Sequence, residues 1–321
     1  NKAESFWNIL TQEDQIYGMS ASNAEEGIDQ AEAGMDFLCL DNTTNILTKK
    51  TKNIPHVINN VNKLFHKGYG STPIVIKTKP LGFKEMTKII QSGVAGIWCD
   101  DENVQKNGQR TGDLLSTKSM ITQLTQVRLA ADVCRVPSII IASTKINNSE
   151  MSENCRTNLS DQKYESTKTN NKEIHHNLDT NVTTEKAIER GLAYAPYADV
   201  ICLEGIVPDL EQAEKFANAI RSKYPRKYLA YSCTSIFDWT TKLTPTEMQN
   251  FQNELTELGY SIHYISPREE TFYTMRKLAE SFCDDGFAGY ANLEEIFSKV
   301  DHQINTIDIL KTIQDEQTTL V

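Results

Sequence analysis

Short, almost wholly apolar runs alternate with segments whose apolar residues recur at helical spacing through most of the sequence. Eight runs read as strands: Tyr17–Ala21, Phe37–Leu40, Pro73–Ile76, Gly96–Asp100, Ser138–Ser143, Val200–Glu204, Tyr228–Ser232 and Tyr260–Ser266. Most are rich in Ile, Val or aromatic residues, as strands covered on both faces must be. Between them lie amphipathic segments, among them Lys84–Gln91, Thr117–Val133, Asp209–Tyr224 and Pro245–Leu258. In the last of these, Met248, Phe251, Leu255 and Leu258 fall on one helical face. Such βα units predict a parallel sheet, and eight of them close into a (β/α)8 TIM barrel whose binding site lies at the C-terminal ends of the strands. The pattern assigns residues 1–271 to the barrel. Residues 146–184, after the fifth strand, are polar and of low complexity, and read as an excursion above the mouth. Residues 272–321 read as a helical tail (Met275–Phe282, Leu293–Val300, Ile304–Gln314) suited to capping or joining subunits. The Asp284-Asp285-Gly286 step in it reads as a turn.

Composition narrows the function classes. The 321 residues are 39% hydrophobic and 24% charged, enough to bury a core. A net charge of −10 and a pI near 5.2 exclude sequence-independent nucleic-acid binding, which needs clustered Lys and Arg. No stretch approaches the roughly 18 apolar residues of a membrane-spanning helix. Seven scattered cysteines without a CxxC read as reduced, core-filling thiols, and the expected compartment is the cytoplasm. The chain begins at Asn1 without Met, compatible with removal of an upstream segment. His175-His176 has no companion at metal-ligand spacing.

Several segments are more specific. Ile188-Glu189-Arg190-Gly191-Leu192-Ala193-Tyr194-Ala195-Pro196-Tyr197-Ala198-Asp199-Val200 precedes the sixth strand, and Pro208-Asp209-Leu210-Glu211, Lys223-Tyr224-Pro225, Leu229-Ala230-Tyr231-Ser232-Cys233 and Phe237-Asp238-Trp239 follow in order. Arg128-Leu129-Ala130-Ala131-Asp132-Val133 and Val94-Ala95-Gly96-Ile97 lie upstream. Together these segments resemble the isocitrate lyase and 2-methylisocitrate lyase family over most of the chain. The resemblance implies a barrel whose C-terminal helices are exchanged between subunits of an oligomer. It also implies Mg²⁺-dependent cleavage of isocitrate to succinate and glyoxylate, as in the glyoxylate cycle, or of its 2-methyl analogue. That chemistry needs a hard cation, a base for the hydroxyl and an acid for the carbanion-like product.

The positions that match the family's chemical machinery depart from its pattern. Where the resemblance implies acidic metal-holding residues after the third strand, this chain carries Lys77 and Lys79, and ammonium groups cannot ligate Mg²⁺. Asp100 and Asp101 keep an acidic pair after the fourth strand. The family's Lys-Lys-Cys-Gly-His loop, whose thiol is the acid, is matched by Gln105-Lys106-Asn107-Gly108-Gln109, so Lys106, Asn107, Gly108 and Gln109 offer no proton donor in the thiol's place. Cys99 lies within a strand and reads as packing. Asp41-Asn42-Thr43 stands where the family grips a carboxylate, Ser143 where it has an Arg clamp, and Ser232 and Thr234 preserve only part of a carboxylate-binding loop. Glu204 persists. Trp98 stands where the family often has His, and its bulk is expected to fill part of the pocket.

The expected protein is therefore an isocitrate lyase-like pseudoenzyme with a structural, regulatory or interaction role and no metal cofactor. It is expected to form homo- or hetero-oligomers through its C-terminal helices or to meet another protein partner, and to bind neither nucleic acid nor membrane. In the bland form of this reading, Lys77 and Lys79 pair with Asp100 and Asp101 in place of the ion. The alternative is residual or altered lyase activity, or binding of a small carboxylate or phosphate, with Lys77, Lys79 and Lys145 as fixed positive charge and Ser143, Glu204, Ser232 and Thr234 as further contacts.

Overall fold

The computed structural model describes residues 2–41, 54–78, 81–104, 110–146, 180–205, 207–233, 239, 243–267 and 275–303. The strands are β1 (Ile16–Ala21), β2 (Phe37–Asp41), β3 (Ile74–Thr78), β4 (Gly96–Cys99), β5 (Glu102–Val104), β6 (Arg110–Leu114), β7 (Ile139–Lys145), β8 (Val200–Gly205), β9 (Tyr228–Cys233) and β10 (Tyr260–Ile265). The helices are α1 (Lys2–Gln12), α2 (Ala24–Glu32), α3 (Ile54–His66), α4 (Phe83–Gln91), α5 (Thr117–Cys134), α6 (Thr180–Tyr194), α7 (Leu210–Lys223), α8 (Pro245–Glu257) and α9 (Met275–Gln303). All strands but β5 and β6 pair in parallel, in the closed order β1-β10-β9-β8-β7-β4-β3-β2. This is a (β/α)8 barrel, and each of the eight predicted strands lies within about two residues of an observed one.

Strand alternation divides the core in two. Phe37, Cys39, Val75, Trp98, Ile141, Cys202, Ala230 and Tyr264 fill the lumen. Their neighbours in sequence, such as Leu38, Ile76, Ile97, Ala142 and Leu203, meet the surrounding helices. Helix α1, absent from the predicted elements, closes the N-terminal end: Phe6 and Leu10 join the lumen cluster, and Trp7 Nε1 donates to Pro137 O at 2.8 Å. Helix starts follow ordinary capping chemistry. Ser116 Oγ accepts from Ser119 N, Asp209 Oδ1 from Gln212 N, and Thr244 with Glu247 forms a capping box before Pro245.

Three boundaries differ from the sequence reading. The polar excursion ends sooner than expected, because α6 begins at Thr180 and already buries Thr183 and Thr184; the rest of it, from residue 147, lies outside the described residues. The tail's first two expected helices are both present but longer than expected, meeting at a break at Gly286 (φ 62°, ψ −147°), where the sequence reads a turn; Asp284 and Asp285 belong to the first of them. Gln252 of α8 fastens the bend, its Oε1 accepting from Phe287 N at 3.1 Å. The third expected tail helix, Ile304–Gln314, lies outside the described residues. No helix among the described residues is long and apolar enough to cross a membrane.

His263 faces outward from β10, fully buried, with Nε2 3.1 Å from Thr256 Oγ1 and its ring 5.6 Å from that of Phe287. Burial drives its pKa down from 6.5 to about 3. A histidine with a depressed folded pKa costs stability as the pH falls below its unfolded value, because only the unfolded chain takes up the proton. Between pH 7 and 5 the chain should therefore lose about 2 kcal/mol relative to a His263→Leu variant, read from urea unfolding at both pH values.

Candidate functional site

At the C-terminal ends of the strands the lumen changes from apolar to charged. The residues one alternation above the lumen cluster include Asp41 on β2, Lys77 on β3, Asp100 after β4, Ser143 on β7, Glu204 on β8 and Ser232 on β9, with Lys145 one alternation further along β7, all buried. Parallel register sets Lys145, Glu204 and Ser232 side by side on three adjacent strands. The ammonium of Lys77 is 3.6 Å from Asp100 Oδ2 and 3.5 Å from Glu204 Oε2, and Lys145 Nζ is 2.8 Å from Glu204 Oε1. The result is a continuous chain of alternating charge, Asp100–Lys77–Glu204–Lys145. Lys77 also lies over two rings, 5.7 Å from the centroid of Trp98 and 5.5 Å from that of Tyr264, so aromatic faces supply the attraction that water would otherwise give.

Asp101 has a partner that the sequence reading did not name, Arg190. Its carboxylate is fully buried and receives Arg190 Nε at 3.1 Å and Nη2 at 2.8 Å, and the same Nη2 donates to Leu115 O at 3.0 Å. Leu115 N in turn donates to Asp101 O at 2.7 Å. Arg190 thus closes the foot of the antiparallel β5–β6 hairpin from α6. Burial raises the Asp101 carboxyl to about 6, against the lowering by Arg190.

Of the residues singled out from sequence, Lys77, Asp100, Lys145 and Glu204 come together, with Ser143 and Ser232 in the same layer. Lys79, Thr234 and Lys106, Asn107, Gly108 and Gln109 lie outside the described residues. The pairing expected for Lys77 holds with Asp100 and extends to Glu204; Asp101 is held by Arg190, and the pairing expected of Lys79 lies outside the described residues. Arg190 was legible in principle, since it lies one helical turn before Tyr194, whose hydroxyl is 3.5 Å from Asp101 Oδ2. Cys99 faces the helices rather than the lumen, and its burial pushes the thiol far above the usual range, so it supplies no acid to the mouth. Ser232 Oγ makes no hydrogen bond among the described residues, and Ser143 has the buried Cys202 thiol beside it.

Comparison with known proteins follows the same line. The profile of the isocitrate lyase family matches residues 163–313. The isocitrate lyase of Halalkalibacterium halodurans is 29% identical over 329 aligned positions, covering 91% of this chain and 76% of that protein. The isocitrate lyase of Escherichia coli is 36% identical over 187 positions, 57% of this chain and 42% of that enzyme. Isocitrate lyase 1 of Mycobacterium tuberculosis is 32% identical and has 49% of its length matched. Against these last two, the chain spans less than half of the relative. Among solved structures, oxaloacetate acetylhydrolase with oxalate superposes with a TM-score of 0.57 at 16% identity, covering 99% of this chain and 96% of that one. The 2,3-dimethylmalate lyase superposes with a TM-score of 0.52 at 17% identity, covering 94% and 98%. At these identities the superpositions speak for the barrel alone.

Proposed function

We propose that this chain, similar to the isocitrate lyase family over residues 163–313 and to an isocitrate lyase over 91% of its length, is a catalytically silent member of that family, a lyase-like barrel retained for a structural, regulatory or interaction role. One observation carries the reading: the ammonium of Lys77 lies between the carboxylates of Asp100 and Glu204. Magnesium needs oxygen ligands at about 2.0–2.1 Å and is repelled by an ammonium in that position. These residues do not fit the divalent ion that the family's chemistry calls for. The Asn107 amide in the loop that matches the family's proton donor supports the same reading. Assembly of like or unlike copies through the helical tail, in the cytoplasm, belongs to the proposal.

A second reading is favoured by Ser232 Oγ, which is buried without a hydrogen bond among the described residues, two strands from Lys145 in register. There the mouth receives a small carboxylate or phosphate without cleaving it. Purified protein given isocitrate or 2-methylisocitrate with saturating Mg²⁺ should yield no glyoxylate or pyruvate above the uncatalysed background. Steady turnover ends the silent reading. A thermal-shift titration of the same preparation with dicarboxylates and inorganic phosphate separates the two, since saturation to roughly 100 times Kd adds about 2.7 kcal/mol.

A further inference from the structure

β3 and β8 are not neighbours: β4 and β7 stand between them in the closed sheet. The contact of Lys77 with Glu204 therefore crosses the lumen, whereas Asp100 lies beyond the end of the adjacent β4 and Lys145 on the β7 that flanks β8. Backbone pairing holds each strand to the next around the barrel, but only side chains can join opposite walls; among the described residues Trp98 and Tyr264 do so by packing, and the Lys77 ammonium does so by charge.

Two further observations show that this position is built for a cation. The Lys77 side chain is 1% exposed and its two carboxylate partners 3% and 2%, so none of the three exchanges its partner for water at little cost. The indole of Trp98 and the phenol ring of Tyr264 present their faces to the same ammonium, and those rings are themselves packed 4.4 Å apart, centroid to centroid. Carboxylates on two sides and aromatic rings below form a cage for one positive charge that the chain itself supplies.

We propose that Lys77 is a tethered structural cation, replacing a divalent ion as the charge that ties opposite walls of the barrel mouth together, so that the fold is indifferent to divalent metal. This rests on the family reading above, in which an ion would otherwise hold acidic groups at the strand ends. A free ion dissociates and leaves its ligands to repel one another; a covalently attached ammonium is present at every metal concentration.

The test is thermal unfolding of the full chain and two variants, Lys77→Met and Lys77→Arg, each in EDTA and in millimolar MgCl₂ or MnCl₂. The wild-type midpoint should agree in all three media. Lys77→Met keeps the stem but removes the charge, and its midpoint should fall by about 5–10 °C, while Lys77→Arg should retain more of the stability. A wild-type midpoint that climbs several degrees with metal overturns the proposal, as does a Lys77→Met variant that melts with the wild type. If the Met variant does not fold, the wild-type titration alone decides. Failure here is distinguishable from failure of the silent reading: glyoxylate formed in EDTA sinks that reading and spares the tether, and metal-induced stabilisation without turnover does the reverse.

Discussion

Replacing Arg190 with alanine is expected to destabilise the fold by about 3–5 kcal/mol, the usual cost of removing one partner of a buried ion pair. Arg190 is 5% exposed and Asp101 fully buried, so the carboxylate left behind cannot recover its hydration. The variant also removes the donor to Leu115 O, loosening the hairpin foot. The cost should depend on pH in a defined direction. The folded pKa of Asp101, about 6, lies above the ordinary 3.8, so its protonated form favours folding at low pH and that contribution is lost as the pH rises through 6. Without the guanidinium, which lowers this pKa, the carboxyl titrates higher still. Urea unfolding of both proteins should therefore show a gap that widens between about pH 5 and about pH 8. His263 adds an acid-side loss to both proteins alike and cancels in the difference. An equal gap at the two pH values would mean that Arg190 acts through packing alone.

The second large effect is expected at Trp98, for which truncation to alanine should cost about 3–5 kcal/mol. Trp98 is fully buried at the top of the apolar lumen, against Tyr264 and beneath Lys77. Deleting it opens a cavity that strands hydrogen-bonded on both sides cannot collapse to fill, and takes one face from the Lys77 cage. Its Nε1 makes no hydrogen bond among the described residues, so no polar contact is lost with it. Trp98→Phe, which keeps an aromatic face, should therefore be much milder. Equilibrium denaturation of the two variants beside wild type checks this; equal losses would show that neither a retained aromatic face nor partial filling of the cavity suffices and that the full indole is required.

The barrel was legible because its strands are covered on both sides: runs such as Ile139-Ile140-Ile141-Ala142 admit few other readings once helices flank them. The β5–β6 hairpin was not legible. Its strands, Glu102-Asn103-Val104 and Arg110-Thr111-Gly112-Asp113-Leu114, show no clean alternation of apolar and polar residues, and β5 has only three residues to show one. Helix α1 escaped for another reason. Phe6 and Leu10 are correctly spaced, but nothing local says that their face closes a barrel rather than lying on its flank. At the mouth, the sequence revealed that Lys77 replaces an acidic residue and that Asp100 survives beside it. It did not reveal the link to Glu204, because residues 127 apart meet only through the curvature of the closed sheet. Arg190 lies in a segment that resembles the family, and its role depends on α6 bringing it over the hairpin foot.

Helix α1 has a consequence for traffic. With Phe6 and Leu10 seated under the strands and Trp7 anchored to Pro137 O, the lower opening is corked by the chain's own first turns. Among the described residues the charged end of the lumen, with Lys77, Lys145, Asp100 and Glu204, is thus opposite a closed end, and a molecule bound in the barrel would lie against those four charges.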